Sequence, residues 1–494
     1  MRVMTTSPGT REASCAVLGL LLVLSSGPAL AADAPSREEA ARALRRAVRY
    51  FREKVATRGG YLWEYSSDLK ERRGEGKATA SQIWVQPPGT PSVGLAYLRA
   101  YERTGEAFHL DAARETAHAL AWGQLGSGGW TYSIDFDPAG SKHRFHRRDV
   151  EAGQRDPGDR FNVSTFDDDT SQSALRLIMS YDRVTGFKDE VAHRAALYAL
   201  RHFLKAQYPS GGWPQRYVGP RDPRDWPTKP AHYPESWSRV HPKSDYKFFY
   251  TLNDHTIPDL ITTMLVAYDV YGERVYLESA LKGGDFLLLA QMPEPQPAWA
   301  QQYDADMAPA WARRFEPPSI VSVESIGAIR ALMRLYVETG AEKYRSSIPR
   351  ALDWLERSRL SDGRHARFYE LRTNRPLYFT RKYELVYTDD DLPTHYCFQT
   401  TLDVTTLRRQ YDRLGWERQQ QVKQAGDRIE ELRGAGADER LTVRSHGRPA
   451  SPSAVRKVID SLDREGRWIE DGRMKCSQFI RNVDTLSSYL AREP

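Results

Sequence analysis

A helix that runs into paired glycines and an aromatic residue recurs along this chain, and no other feature constrains its fold as tightly. Helical periodicity over Arg37–Val55 leads to Gly59-Gly60-Tyr61-Leu62-Trp63. The segment Arg114–Trp122 leads to Gly128-Gly129-Trp130, and Val191–Gln207 leads to Gly211-Gly212-Trp213-Pro214-Gln215. Two later segments, Val275–Ala290 and Ile348–Arg357, end differently: at Trp299-Ala300-Gln301, and at Gly363 followed by Arg367-Phe368-Tyr369-Glu370. Before each of the last four lies a partner helix that closes on Tyr and Gly: Tyr101 with Gly105, Tyr181 with Gly186, Tyr268 with Gly272 and Tyr336 with Gly340. The spacing is too uneven for a solenoid of short repeats, yet the order is constant, so the unit is a helical hairpin. Several hairpins, each with one apolar face, bury a shared core by curling into a ring, which predicts an all-α (α/α) toroid with a few short strand-like segments.

Antiparallel helices place the segment entering a hairpin beside the segment leaving it. The entering segments are Gln86-Pro87-Pro88-Gly89-Thr90, Phe166-Asp167-Asp168-Asp169-Thr170, Leu252-Asn253-Asp254-His255-Thr256 and Glu316-Pro317-Pro318-Ser319. One rim therefore collects aspartates, an Asn-Asp pair, the turn tryptophans and two arginine segments. Insertions at 137–162 and 218–243, rich in Pro, Arg, Asp and His, are expected as long rim loops that wall or cover a groove.

Composition narrows the class. With 40% hydrophobic and 28% charged residues the chain is globular rather than disordered. Residues 1–31 read as a secretory signal, with Arg2 and Arg11, an apolar stretch Ala16–Leu24 and the small-residue site Ala29-Leu30-Ala31, so a secreted or periplasmic location is expected. The remainder, 32–494, reads as one toroid domain whose part beyond residue 402 is a more variable helical region, with a charged helix over Glu417–Arg433 and a connection over Gly434–Pro452. No later run is apolar enough to span a bilayer, and a net charge of +6 with no recognisable binding motif does not point to nucleic acid. A monomer without membrane or nucleic-acid partner is expected. Beyond Cys15 in the signal, Cys397 and Cys476 are compatible with one disulfide or with two thiols, and no cysteine–histidine pattern suggests zinc.

Three consecutive aspartates at a helix start can serve as ordinary caps, but one would suffice for that. Asp167, Asp168 and Asp169 repel one another, and a hard cation relieves this; oxygen donors without His or Cys favour calcium or magnesium. Asn253-Asp254-His255-Thr256 repeats the case as a cap or as a second donor pair to the same ion. Trp63, Trp130 and Trp213 are core residues or flat platforms for sugar rings. The stretch WARRFEPPSIVSVESI, residues 311–326, packs Arg313, Arg314 and Glu316 against prolines that delay the next helix. There an arginine braces a helix start or works in a site. Arg367 and Arg381 have guanidinium forks suited to carboxylates, and acids at a cation facing arginines suit an anionic sugar polymer, a polyuronate.

At these residues the chain resembles the pectate lyases of polysaccharide lyase family 10. The matching stretches are TFDDDTSQSALRL, SGGWPQRY, TLNDHTI, PAWARRFEPPSIVSVESIGAIRALM, ARFYELRTNRPLYFTR and FIRNVDTLSSYL, spread from Phe166 to Leu490. The resemblance implies an (α/α) toroid that cleaves polygalacturonate by calcium-dependent β-elimination. Arg313 is then the base and Asp167 and Asp254 are calcium ligands, with Asp169 as a further expected ligand. Arg367 and Arg381 bind substrate carboxylates, and Asp168, Asn253, Trp213 and Glu316 are expected in the substrate site. The sequence departs from the family pattern where Asp-Asn-Asp-Ala-Thr reads Asp167-Asp168-Asp169-Thr170-Ser171, where Asn-Asp-Asp reads Asn253-Asp254-His255, where Gln-His-Asp reads Gln302-Tyr303-Asp304, and in the insertion 218–243. Two other classes remain open: a glycoside hydrolase using two of Asp167, Asp169, Asp254 and Glu316, and a secreted pectate-binding protein without catalysis.

Overall fold

The computed structural model describes residues 34–243, 245–434 and 449–491. The expected signal and most of the expected 434–452 connection lie outside them. Helix α1 spans Arg37–Tyr50, and its N-terminus is closed by a capping box in which Ser36 and Glu39 satisfy each other's backbone N–H. The hairpins follow as α2 (Thr90–Thr104) with α3 (Ala107–Gly123), α4 (Thr170–Val184) with α5 (Glu190–Ala206), α6 (Thr256–Tyr271) with α7 (Arg274–Ala290), and α8 (Ser322–Thr339) with α9 (Ile348–Arg357). A long α10 (Val404–Gly434), a short α11 (Pro452–Asp460) and α12 (Cys476–Leu490) complete the chain.

Helices α12, α2, α4, α6 and α8 pack side by side in that order and form the inner layer. Their partners α1, α3, α5, α7 and α9 lie outside, which is the (α/α) toroid that the hairpin repeat predicts. The first and last of the described residues meet: Arg37 donates to the Leu490 carbonyl at 2.6 Å and Tyr489 to that of Pro35 at 2.8 Å. Gly105, Gly272 and Gly340 each end an inner helix in the left-handed conformation and donate to the carbonyl of the tyrosine four residues back. Entering and leaving segments do pair. Gln82–Trp84 lies antiparallel to Ser133–Asp135, Ser164–Thr165 to Arg216–Tyr217, Tyr250–Thr251 to Gln302–Tyr303, and Ser319–Val321 to Phe368–Glu370. The segment after Pro318 is thus first a strand and only then α8.

Four of the turn tryptophans share one structural purpose, and this corrects the expectation that Trp213 binds substrate; Trp63, partly buried, instead donates to the Gln86 carbonyl at 2.9 Å. Trp213 is fully buried and donates its indole N–H to the Phe203 carbonyl at 3.0 Å. Trp130 does the same to Leu120, Trp299 to Leu287 and Trp468 to Val458. Each plugs the end of the helix that precedes it and donates to a carbonyl that the backbone of the helix terminus leaves unpaired. The glycines make room: Gly211 has φ +97°, and a Cβ on it would sit 2.0 Å from the Lys282 carbonyl oxygen. Cys397 is exposed and Cys476 buried, and both are free thiols. No helix of the described residues is long and apolar enough to cross a membrane.

Candidate active site on the toroid rim

The two acidic segments enter adjacent inner helices through matching turns. Asp167–Asp169 and Asn253–His255 are each one 3₁₀ turn, and these two turns pack together. In both, the last two residues are left-handed: Asp168 at φ 53°, Asp169 at 56°, Asp254 at 46° and His255 at 62°. Such residues cost about 1–2 kcal/mol each and persist where their surroundings fix them. Neither turn uses its side chains as caps, for no side-chain cap bond forms at Asp169 or His255. Capping therefore does not explain the aspartates.

What the turns do is bring carboxylates together. One oxygen each of Asp167, Asp168 and Asp254 lies within 4.8 Å of the others. Asn253, buried, donates its amide to Asp167 at 3.3 Å and to Asp254 at 2.6 Å, while its own oxygen has no partner among the described residues. Burial first, and then the neighbouring carboxylates, push Asp168 up to about 7 and Asp254 up to about 6. Asp169 is not part of this group: its side chain turns to Arg176, which also holds Thr263 at 2.9 Å. Asp168, expected at the substrate, thus takes the place in the cluster expected of Asp169. The reason is the pair of left-handed residues, which reverses the chain between them, a geometry that residue order does not disclose.

Two guanidinium groups, those of Arg367 and Arg313, flank the cluster. Arg367 sits 4.0 Å from Asp254 and is locked at 2.6 Å onto Glu324, which is buried in the first turn of α8. The pairing of Ser319–Val321 with Phe368–Glu370 sets this register, and Ser322 N–H donates to the Arg367 carbonyl at 3.0 Å. Arg313 has electrostatic reach to both Asp168 and Asp254. Its side chain, 43% exposed, grips the buried Glu316 through Nε at 2.8 Å and Nη2 at 2.5 Å. Burial works against the charge of Arg313, but the Glu316 hydrogen bonds and charge outweigh it and hold the pKa well above the ordinary arginine value. Arg381 is placed otherwise: 69% exposed, it pairs with Asp391 at 3.3 Å, and among the described residues no contact ties it to the cluster.

Sequence reasoning passed over four contributors. Arg216 lies over the Tyr132 ring and donates to its hydroxyl at 3.3 Å, and Tyr132 in turn donates to Asp167 at 2.8 Å. Tyr396 donates to Glu316 at 2.9 Å and offers its ring to the guanidinium groups of both Arg313 and Arg367 at 5.3 and 4.8 Å. Glu324 completes the set. Arg216 stood inside SGGWPQRY and Glu324 inside the stretch after Pro318, so motif membership was their signal; Tyr132 and Tyr396 had none.

Residues 124–366, just under half of the chain, match the family model for pectic acid lyase. Among solved structures, a family 10 polysaccharide lyase from Cellvibrio cellulosa aligns at 18% identity and a TM-score of 0.45, covering 66% of this chain and 98% of that one. An alanine variant of the Cellvibrio family 10 enzyme, in complex with trigalacturonic acid, aligns at 17% and 0.44 over the same shares. A cellobiose 2-epimerase from Spirochaeta thermophila aligns at 14% and 0.42, covering 65% and 69%. Among curated proteins none matches.

Proposed function

We propose, proceeding from a chain that is a polysaccharide lyase with a pectic acid lyase segment over residues 124–366, that it cleaves polygalacturonate by calcium-assisted β-elimination outside the cytoplasm, as a monomer. The observation that supports this best is the convergence of Asp167, Asp168 and Asp254 with Arg313 and Arg367 at one spot on the rim. The donor set fits calcium: three carboxylates that repel one another, and an amide oxygen on Asn253 that is buried without a partner. Bound there, calcium would neutralise a uronate carboxylate and so acidify the adjacent C5–H.

The chain's own residues supply the rest. Arg367, held rigid by Glu324, presents a fixed cation to a second face of that carboxylate and to the enolate-like charge that develops on it. Arg313 acts at C5. As the C5–H bond breaks, its electrons form the C4–C5 double bond, the C4–O bond gives its pair to the departing oxygen, and a proton from solvent water neutralises that oxygen. For Arg313 to take the C5 proton it must first be neutral, and its grip on Glu316 opposes this. That ion pair favours a second reading in which Arg313 remains a cation and stabilises the developing charge while hydroxide from solvent takes the C5 proton. Turnover climbs toward alkaline pH in both readings, and they separate at the lysine variant: a base leaves Arg313→Lys inactive, whereas a charge stabiliser leaves it partly active.

A glycoside hydrolase on the same rim is not favoured. Two of its four candidate carboxylates, Asp169 and Glu316, are committed to Arg176 and Arg313. The deciding experiment is an ultraviolet time course on polygalacturonate with calcium and again with chelator. Elimination leaves an absorbing unsaturated end; saturated products, or binding without products, would overturn the proposal.

A further inference from the structure

The turn Tyr246–Phe248 has two different neighbours. Tyr246 lies within electrostatic reach of Glu316, Arg313 and Asp167, whereas Phe248 carries the guanidinium of Arg221 over its ring at 3.7 Å. Beside Arg221 a cavity of about 290 Å³ opens, walled by Lys205, Gln207, Tyr208, Arg221, Pro223 and Lys282. Lys205 comes from the last turn of α5, Lys282 from the middle of α7, and Arg221 and Pro223 from the 218–243 insertion that departs from the family pattern. The three cations are exposed, no carboxylate lines the cavity, and Asp222, next in sequence to Arg221, is taken by Arg224. Among the described residues none of the three cations has an ion-pair partner.

The wall is aromatic as well as basic. Tyr208 stacks on Trp226 with ring centroids 4.2 Å apart and ties its hydroxyl to the Phe248 carbonyl at 2.8 Å, so it is rigid. A second, smaller cavity shares Lys205, Tyr208 and Arg221 and reaches Arg216, the residue that holds Tyr132 onto Asp167. Cations thus lead from Lys282 through Lys205 and Arg221 to Arg216 and the carboxylate cluster. Three like charges without counter-anions repel one another, which an anionic ligand relieves. The volume, just under the roughly 300–1,000 Å³ of small-molecule sites, suits one sugar ring rather than a longer piece.

We infer that this cavity is a distal subsite that takes one uronate unit of the polymer by its carboxylate and lengthens the grip on substrate beyond the reacting unit. It rests on the reading that the rim site acts on a polyuronate. Methyl-esterified units, having lost the charge, do not occupy it. The chemistry is that of an acidic sugar, held by Lys205, Lys282 and Arg221 with Tyr208 as its wall.

The experiment measures binding of tri- and hexagalacturonate to the full-length protein by calorimetry in chelator, where turnover is suppressed, and KM for the polymer in calcium. Glutamine variants of Lys205, Arg221 and Lys282, singly and together, are compared with the parent. All three side chains are exposed, and melting curves confirm folding. Each single change should weaken hexamer binding about two- to fivefold and the triple change more, while trimer binding holds and polymer KM rises at constant kcat. Equal hexamer affinity in parent and triple variant would overturn the subsite, as would an equal loss for a fully methyl-esterified hexamer. If no unsaturated product forms at all but the length-dependent loss is seen, the lyase reading fails and the subsite stands. If product forms and the loss is absent, the subsite fails alone.

Discussion

Replacing Arg313 tests the site where stability and chemistry pull on the same residue. Glu316 is 2% exposed, and its carboxylate receives two guanidinium bonds and the backbone N–H of Arg313, together with the Tyr396 hydroxyl. Breaking a buried ion pair costs about 3–5 kcal/mol. Here Arg313 is partly exposed and Glu316 keeps two of its donors, so Arg313→Ala should cost about 2–3 kcal/mol. At an unfolding entropy of about 2.1 cal/mol/K per residue, a chain of this size loses only about 1 °C per kcal/mol, so the melting point should fall by about 2–3 °C. Denaturant titration resolves the change better. Adding Glu316→Gln removes the stranded charge, and the double variant should recover most of the loss while remaining as inactive as Arg313→Ala. A loss below about 0.5 kcal/mol in Arg313→Ala, or a double variant no more stable than it, would refute the bracing argument. A nearly fully active double variant would remove Arg313 from the chemistry.

Calcium at 100 times its dissociation constant should stabilise the parent by about 2.7 kcal/mol; Asp168→Asn and Asp254→Ala should lose that response and Asp169→Asn keep it, with the reverse order restoring Asp169 as the ligand. Trp213→Ala should destabilise by about 3–5 kcal/mol with turnover per folded molecule retained, and a raised KM at unchanged stability would instead reinstate it as a sugar platform. Acid stability should depend on His109, which is fully buried with neither nitrogen hydrogen-bonded and which burial pushes down to about 4, against the small opposing pull of Glu106. Its folded pKa is depressed, so the neutral form contributes stability above about 6.5 that is lost as pH falls toward 4; His109→Leu should flatten that loss by up to about 3 kcal/mol in denaturant titrations, and identical pH profiles would contradict it.

The sequence by itself determined the architecture, because hairpin architecture is written in local terms. Helical periodicity, Tyr-Gly helix ends and Gly-Gly-Trp turns are each set within a few residues, and antiparallel geometry then forces entering and leaving segments onto one rim, where four strand pairings hold them. It also singled out the segments around Asp167, Asp254, Arg313 and Arg367, whose side chains the fold brings together on the rim. It could not say which side chain of an acidic run faces the site. Asp168 and Asp169 are neighbours of the same type, and only two consecutive left-handed residues, fixed by packing against the Asn253–His255 turn, send one to the cluster and the other to Arg176. Burial was equally beyond local reading: Trp213 looks like a platform until the outer helix α5 and the Phe203 carbonyl close around it. Tyr132 and Tyr396 belong to the site because chain distant in sequence lies against it in space, 35 residues from Asp167 in one case and 80 from Glu316 in the other, and long-range contact of this kind is decided by the tertiary fold alone.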